Sequence, residues 1–339
     1  MNSLAQSSDS QRMEAFSETA TRMGVSDAIV EKDFWVCWLL KQIFSIESLS
    51  NRLLFKGGTS LSKVYGAIER FSEDIDLAVD YAALGFVDER DPTGEGISRS
   101  RREKLLAEML IACQSYIAEA FIPELQGRCV DVLGDTGIWQ LQVSETDPHI
   151  VRFQYPAAGV QRQWYVRPEV LLELGTHAEF VPRGEFTIQS FVAEQFPTLM
   201  PESKVSVVAL LAKRTFWEKV TILHAEYHRP AEKSLPGRYS RHYYDVAMLA
   251  QGSVKEEALS DLGLLQQVVA HKMTFYPSSW ARYDLAQVGT LRITPREDRL
   301  ASLRQDYRDM ATMIFGEPPA FDSILETLSE LESDINRLA

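Results

Sequence analysis

Cysteine is scarce. Only Cys37, Cys113 and Cys129 occur among 339 residues, widely spaced and without a CxxC pair. This excludes a disulfide framework and a Cys-based structural zinc site, and it fits a reducing, cytoplasmic setting. The longest apolar run near the start, residues 34–40, is far short of the roughly 18–20 residues that cross a bilayer, so no membrane association is expected. No basic region followed by an apolar stretch marks the N-terminus, so no export signal is read there. Positive charge is also in deficit, with 35 Lys and Arg against 48 Asp and Glu. The net charge of −13 argues against a protein that coats nucleic acid with its whole surface. With 45% hydrophobic and 24% charged residues, the chain can bury a real core and is long enough for two domains.

Apolar residues at 3–4 spacing predict a helix from Asp27 to about Phe44, with Ser26 as its cap. Residues 52–55 read as a short strand stopped by Gly57-Gly58, and 59–65 as a short helix. Residues 74–79 (DIDLAV) alternate charged and apolar side chains, the mark of a strand with two unlike faces. A Gly-rich charged loop leads to a helix over 102–121. Strands are expected over 129–133, 138–143, 150–155 and 170–174. After Pro201 the pattern turns to long helices, which places a boundary near residue 200. The expected domains are 1–200, mixed α/β, and 201–339, mainly helical.

Residues 53–77 hold the chemistry. Alternation puts Asp74 and Asp76 on one face of a strand, with Ile75 and Leu77 turned to the core. Two such carboxylates at about 4–5 Å repel by several kcal/mol at an effective dielectric of about 20. Binding a divalent cation or exposure to water relieves that repulsion, and hard oxygen ligands suit Mg²⁺. Gly57 and Gly58 let the backbone approach a phosphate, Thr59 and Ser60 add hydroxyl donors, and Lys63 shares the face of Ser60. A metal seat beside a phosphate seat is what nucleotidyl transfer requires. A lone DxD or a lone GG is weak, and GGTSLSK lacks the GxxxxGK[ST] spacing of a P-loop NTPase.

The segments VEKDFWVCWLL, FKGGTSLSKVYGAIERFSEDIDL, RTFWEKVTILH and RYSRHYYDVAML occur in that order and resemble the AbiEii/AbiGii toxin family. These are bacterial nucleotidyltransferases with the DNA polymerase β-like fold, the toxin halves of toxin–antitoxin and abortive-infection pairs. The resemblance implies an α+β fold: a mixed sheet with flanking helices, followed by a helical C-terminal domain. It implies Gly58, Thr59 and Ser60 as the phosphate-binding turn and Asp74 and Asp76 as metal ligands. Lys219 would stand near the nucleotide's phosphates, and Asp245 would be catalytic or architectural. Mg²⁺ or Mn²⁺ as cofactor, an NTP as substrate, an RNA (tRNA acceptor end) or protein acceptor, and a cognate antitoxin follow from it. Glu31, Lys32 and Asp33 match the family's EKD signature and read as a buried brace.

Polymerase β-like sites usually carry a third acid on a neighbouring strand. Glu173, between Leu172 and Leu174, is the candidate, with a solvent-facing residue on an edge strand as the competing reading. Residues 203–244 hold eight Lys or Arg against three acids, where an anionic substrate would be steered. Arg214 is expected to pair with Glu218 one turn on, and Phe216 and Trp217 to be core. A γ-phosphotransferase using the same metal pair and a nucleotide-binding module without turnover are the alternative functions.

Overall fold

The computed structural model describes residues 1–158, 167–198, 200 and 202–339. The chain divides into two compact units. Unit one comprises Met1–Val64 and Ser72–Leu210; unit two comprises Tyr65–Phe71 and Leu211–Ala339. Pro201, the expected boundary, lies outside the described residues. The division falls about ten residues later, because residues 205–210 (VSVVAL) form a strand of the sheet rather than opening the helical half.

Among the described residues, seven strands of unit one build a single mixed sheet. They are β1 (Leu53–Lys56), β2 (Ile75–Val79), β3 (Gln140–Val143), β4 (Ile150–Gln154), β5 (Glu169–Gly175), β6 (Arg183–Ile188) and β7 (Val205–Leu210). Their order is β3-β4-β5-β2-β1-β7-β6. At the centre β2 runs antiparallel to β1 and parallel to β5, while β1 runs parallel to β7. The outer pairs β3–β4, β4–β5 and β6–β7 are antiparallel. Flanking helices cover this sheet, and the α+β expectation holds.

The Asp27–Ser45 helix explains much of the core. Residues from Val30 to Leu40 are buried without interruption, so this helix is enclosed on all sides. Trp35 stacks on Tyr155 with ring centroids 5.6 Å apart, and Trp38 on Phe153 at 5.9 Å. Such aromatic pairs contribute beyond their buried area. Ser26 is the residue at the helix N-cap, but its side chain makes no capping hydrogen bond.

Residues 129–133 are not a strand. CVDVL alternates and is β-branched, yet it ends a helical run, Arg99–Leu133, whose middle turn Ile117–Phe121 is π-helical. Cys113, Ile117, Phe121, Leu125 and Cys129 recur at fourfold spacing and join the core of unit one. By length and composition alone this run is long and apolar enough to cross a membrane, a feature the reading of residues 34–40 overlooked.

In unit two the helices Ala212–Tyr227, Ser240–Gln251, Ser253–Leu259, Leu262–Phe275, Glu297–Met310 and Phe321–Asn336 pack together. The Ser253–Leu259 and Leu262–Phe275 helices are separated by a break at Ser260-Asp261. The Tyr65–Phe71 segment is sewn into this unit by backbone hydrogen bonds. Phe71 N–H donates to Met313 O at 2.7 Å, and Phe315 N–H donates to Glu69 O at 2.8 Å.

Candidate active site

The site begins where β1 ends. Lys56 is in register with Asp76 on β2, and the next residue, Gly57, starts the helix Gly57–Lys63. Gly57 has φ +79°, and a Cβ there would stand 1.8 Å from Asp76 Oδ2 and 2.6 Å from its Cγ. No side chain fits: the glycine leaves room for the Asp76 carboxylate to lie against the turn.

Thr59 and Ser60 were expected to offer hydroxyls to a phosphate. Instead both side chains are buried and turned inward. Thr59 Oγ1 donates to the Asp74 carbonyl, and Ser60 Oγ donates to Gly57 O at 2.9 Å. The first bond ties the helix to the residue just before β2. These hydroxyls therefore hold the shape of the turn, and the donors left for a ligand at this point are backbone N–H groups.

Asp74, Asp76 and Glu173 are neighbours. Asp76 and Glu173 are register partners on the parallel pair β2–β5 and so share a face of the sheet. Because β5 lies between β4 and β2, Glu173 stands on an interior strand and is exposed on its face; the edge-strand reading is excluded. Ile75 and Leu77, the alternate residues, are fully buried. The Asp74 carboxyl is pushed up to about 7, mainly by burial, then by the negative charge of Glu73 and Glu173, with Lys32 opposing and Asp76 adding to the rise. Among the described residues, no three His, Cys, Asp or Glu side chains are grouped so as to hold one ion. A ready three-carboxylate cage is thus not formed. The Asp74–Asp76 pair still fits a hard divalent cation: its donors are oxygens, and its burdened carboxyl gains from positive charge. Mg²⁺ commonly takes one or two protein carboxylates and completes its shell with water and substrate phosphates.

The EKD segment braces this corner. Consecutive helical residues point about 100° apart, so three charges in a buried helix need three separate partners. Glu31 accepts from Ala158 N–H at 2.7 Å, and Lys32 donates to Glu73 at 2.5 Å. Asp33 accepts from Phe191 N–H at 2.7 Å and pairs with Lys63 at 2.6 Å. Lys63 was expected at the phosphate tail. The structure gives it another role: its side chain is 6% exposed, engaged by Asp33 and set 3.8 Å over the Phe191 ring. Asp33 keeps that ammonium protonated despite its burial.

In unit two, Lys219 and Asp245 come together. Lys219 Nζ stands 2.8 Å from Asp245 Oδ2, and Arg70 grips the same carboxylate with two donors, Nε to Oδ1 at 2.7 Å and Nη2 to Oδ2 at 2.8 Å. Burial pushes the Asp245 carboxyl up, but Arg70 and Lys219 outweigh it and hold the group well below the usual carboxylate range. Arg70 was missed in the sequence, since its partner is 175 residues away. Within the basic stretch over 203–244, Lys213 pairs with Asp261 at 2.8 Å and Arg229 with Glu226 at 2.6 Å. Arg214 does pair with Glu218, at 3.2 Å, though it is fully buried rather than on the surface, and Phe216 and Trp217 are core.

Residues 38–327 match the family described as "Nucleotidyl transferase AbiEii toxin, Type IV TA system". Among solved structures the chain is similar to MenT4, a nucleotidyltransferase toxin from Mycobacterium tuberculosis H37Rv. The identity is 15% and the TM-score 0.51, with 96% of this chain and 90% of that one covered, a likeness of fold. No curated protein matches. Because the family match spans most of the chain, including the glycine turn, both aspartates, Lys219 and Asp245, the protein belongs to the AbiEii family of nucleotidyltransferase toxins.

Proposed function

We propose that this toxin moves a nucleoside monophosphate from an NTP to an acceptor hydroxyl, on an RNA such as a tRNA acceptor end or on a protein. It does so with Mg²⁺ and under the restraint of a cognate antitoxin. The observation that carries the reading is the contact of Gly57 with Asp76, which sets a backbone turn without side-chain cover against one of two adjacent carboxylates. Asp74 and Asp76 would hold the divalent ion, with Glu173 close by to bind one of its waters. When bound, the ion neutralises charge on the triphosphate and lowers the barrier to attack at the α-phosphorus.

The chain's own residues supply the rest. Backbone N–H groups at Gly58 and Thr59 would receive phosphate oxygens, because no side chain at Gly57 or Gly58 keeps them at a distance. The acceptor oxygen forms a bond to the α-phosphorus, the bond to the bridging oxygen of pyrophosphate breaks, and the acceptor proton leaves to solvent or a carboxylate. Lys219 would offset the charge that grows on the departing pyrophosphate, with Asp245 holding its ammonium in place.

The test is incubation of purified protein with α-labelled and γ-labelled NTPs, Mg²⁺, and total cellular RNA and protein. Label transferred from the α-position alone, and lost in Asp76→Ala, supports nucleotidyl transfer. Label transferred from the γ-position would make the enzyme a phosphotransferase.

A further inference from the structure

We propose that Arg70 is a positioning residue for nucleotidyl transfer: its two-pronged grip on Asp245 sets where the Lys219 ammonium stands. This rests on the reading that Lys219 meets the NTP phosphates. Lysine is a point charge on a flexible four-carbon stem, and one carboxylate oxygen at 2.8 Å does not by itself define its location. The carboxylate must first be fixed. Arg70 does this with its planar fork, one N–H to each oxygen at 2.7 and 2.8 Å, and Lys219 shares Oδ2 with it.

Arg70 is itself anchored. It is 5% exposed, Nη1 donates to Phe71 O at 3.3 Å, and its backbone forms a β-bridge with Ile314. All three side chains of the trio are almost completely buried, with Asp245 at 0% exposure. The neighbouring His242 imidazole is kept neutral by burial and by the charges of Lys219, Arg241 and Arg70, with Asp245 opposing them.

The experiment compares NTP turnover by the full-length protein with that of Lys219→Ala, Arg70→Lys and Arg70→Ala, the last with and without millimolar guanidinium. Arg70→Lys keeps the charge but not the fork. It is expected to remain folded and to lose about tenfold or more in kcat while KM for NTP changes less than about threefold, the pattern of an interaction felt in the transition state. Arg70→Ala is expected to fall further and to regain part of its rate with guanidinium, which a purely architectural arginine would not show. Should Arg70→Ala not fold, Arg70→Lys decides the matter. Near-normal turnover by folded Arg70→Lys and Arg70→Ala, beside an inactive Lys219→Ala, would overturn the role of Arg70 and leave the function standing. Normal turnover by Lys219→Ala would overturn the phosphate role of Lys219 and, with it, the positioning role of Arg70.

Discussion

Gly57 and Asp76 are fitted to each other so closely that a β-carbon on the glycine would stand 1.8 Å from the aspartate's Oδ2. The glycine also has φ +79°, a conformation that costs an L-residue roughly 1–2 kcal/mol. Gly57→Ala is therefore expected to lower stability by about that amount and to displace the Asp76 carboxylate. An accompanying loss of about 10²-fold or more in transfer follows from misplacing a group at the reacting centre. Melting temperature and labelled-NMP transfer, measured on one preparation, separate the two effects. A fully active Gly57→Ala would contradict the tight fit.

Asp74 should make the metal-free protein sensitive to pH. Its carboxyl titrates at about 7 in the fold, against 3.8 for an ordinary aspartate, chiefly because it is buried. Between those values the folded state binds more protons than the unfolded one, so stability falls as pH rises from about 4 to about 7. Asp74→Asn is expected to melt higher than the parent at pH 8 in chelator, with the difference shrinking toward pH 4. Added Mg²⁺ should flatten the parent's slope. Calorimetry at the two pH values checks this, and an equal difference at both would refute it.

Lys63 separates structure from substrate binding. Its pair with Asp33 joins the Gly57–Lys63 helix to the Asp27–Ser45 helix inside unit one. Removing one partner of a buried pair costs about 3–5 kcal/mol. Lys63→Met is expected to lose stability on that scale while the folded fraction keeps its KM for NTP within about threefold. Urea titration and steady-state kinetics measure the two. A raised KM with unchanged stability would return Lys63 to the phosphates.

The same logic applies to Lys32 and Glu73, whose pair has 3% and 14% side-chain exposure. Lys32→Met alone is expected to destabilise by about 3–5 kcal/mol, and Lys32→Met with Glu73→Leu by clearly less. A double-mutant cycle by chemical denaturation reads the coupling; strict additivity would show that the pair contributes nothing.

Much of the site was legible because it is local. The glycine pair, the DxD alternation and the apolar residues between them lie within about twenty positions, and strand periodicity alone puts Asp74 and Asp76 together. Glu173 stands out as a candidate by its apolar neighbours, whereas its interior position depends on strand order, which no local pattern encodes. Lys63 and Asp33 are thirty residues apart, and nothing at Lys63 reveals that its charge is claimed from behind. The hydroxyls of Thr59 and Ser60 look the same in sequence whether they face a ligand or their own backbone. CVDVL misled because a five-residue alternating run fits a strand as well as the end of a helix, and only its fourfold relation to Cys113, Ile117, Phe121 and Leu125 decides. Arg70 was hidden by distance of another kind: it lies four residues before Asp74, yet folds with unit two.

The central claim, that Asp74 and Asp76 grip a divalent cation beside the glycine turn, is tested most directly by anomalous diffraction. Crystals are soaked with Mn²⁺ and a non-hydrolysable NTP analogue. The account predicts a manganese peak bounded by both carboxylates, with the analogue's phosphates against the backbone at Gly58. Manganese bound elsewhere, or the two carboxylates pointing apart around an occupied nucleotide site, would contradict it.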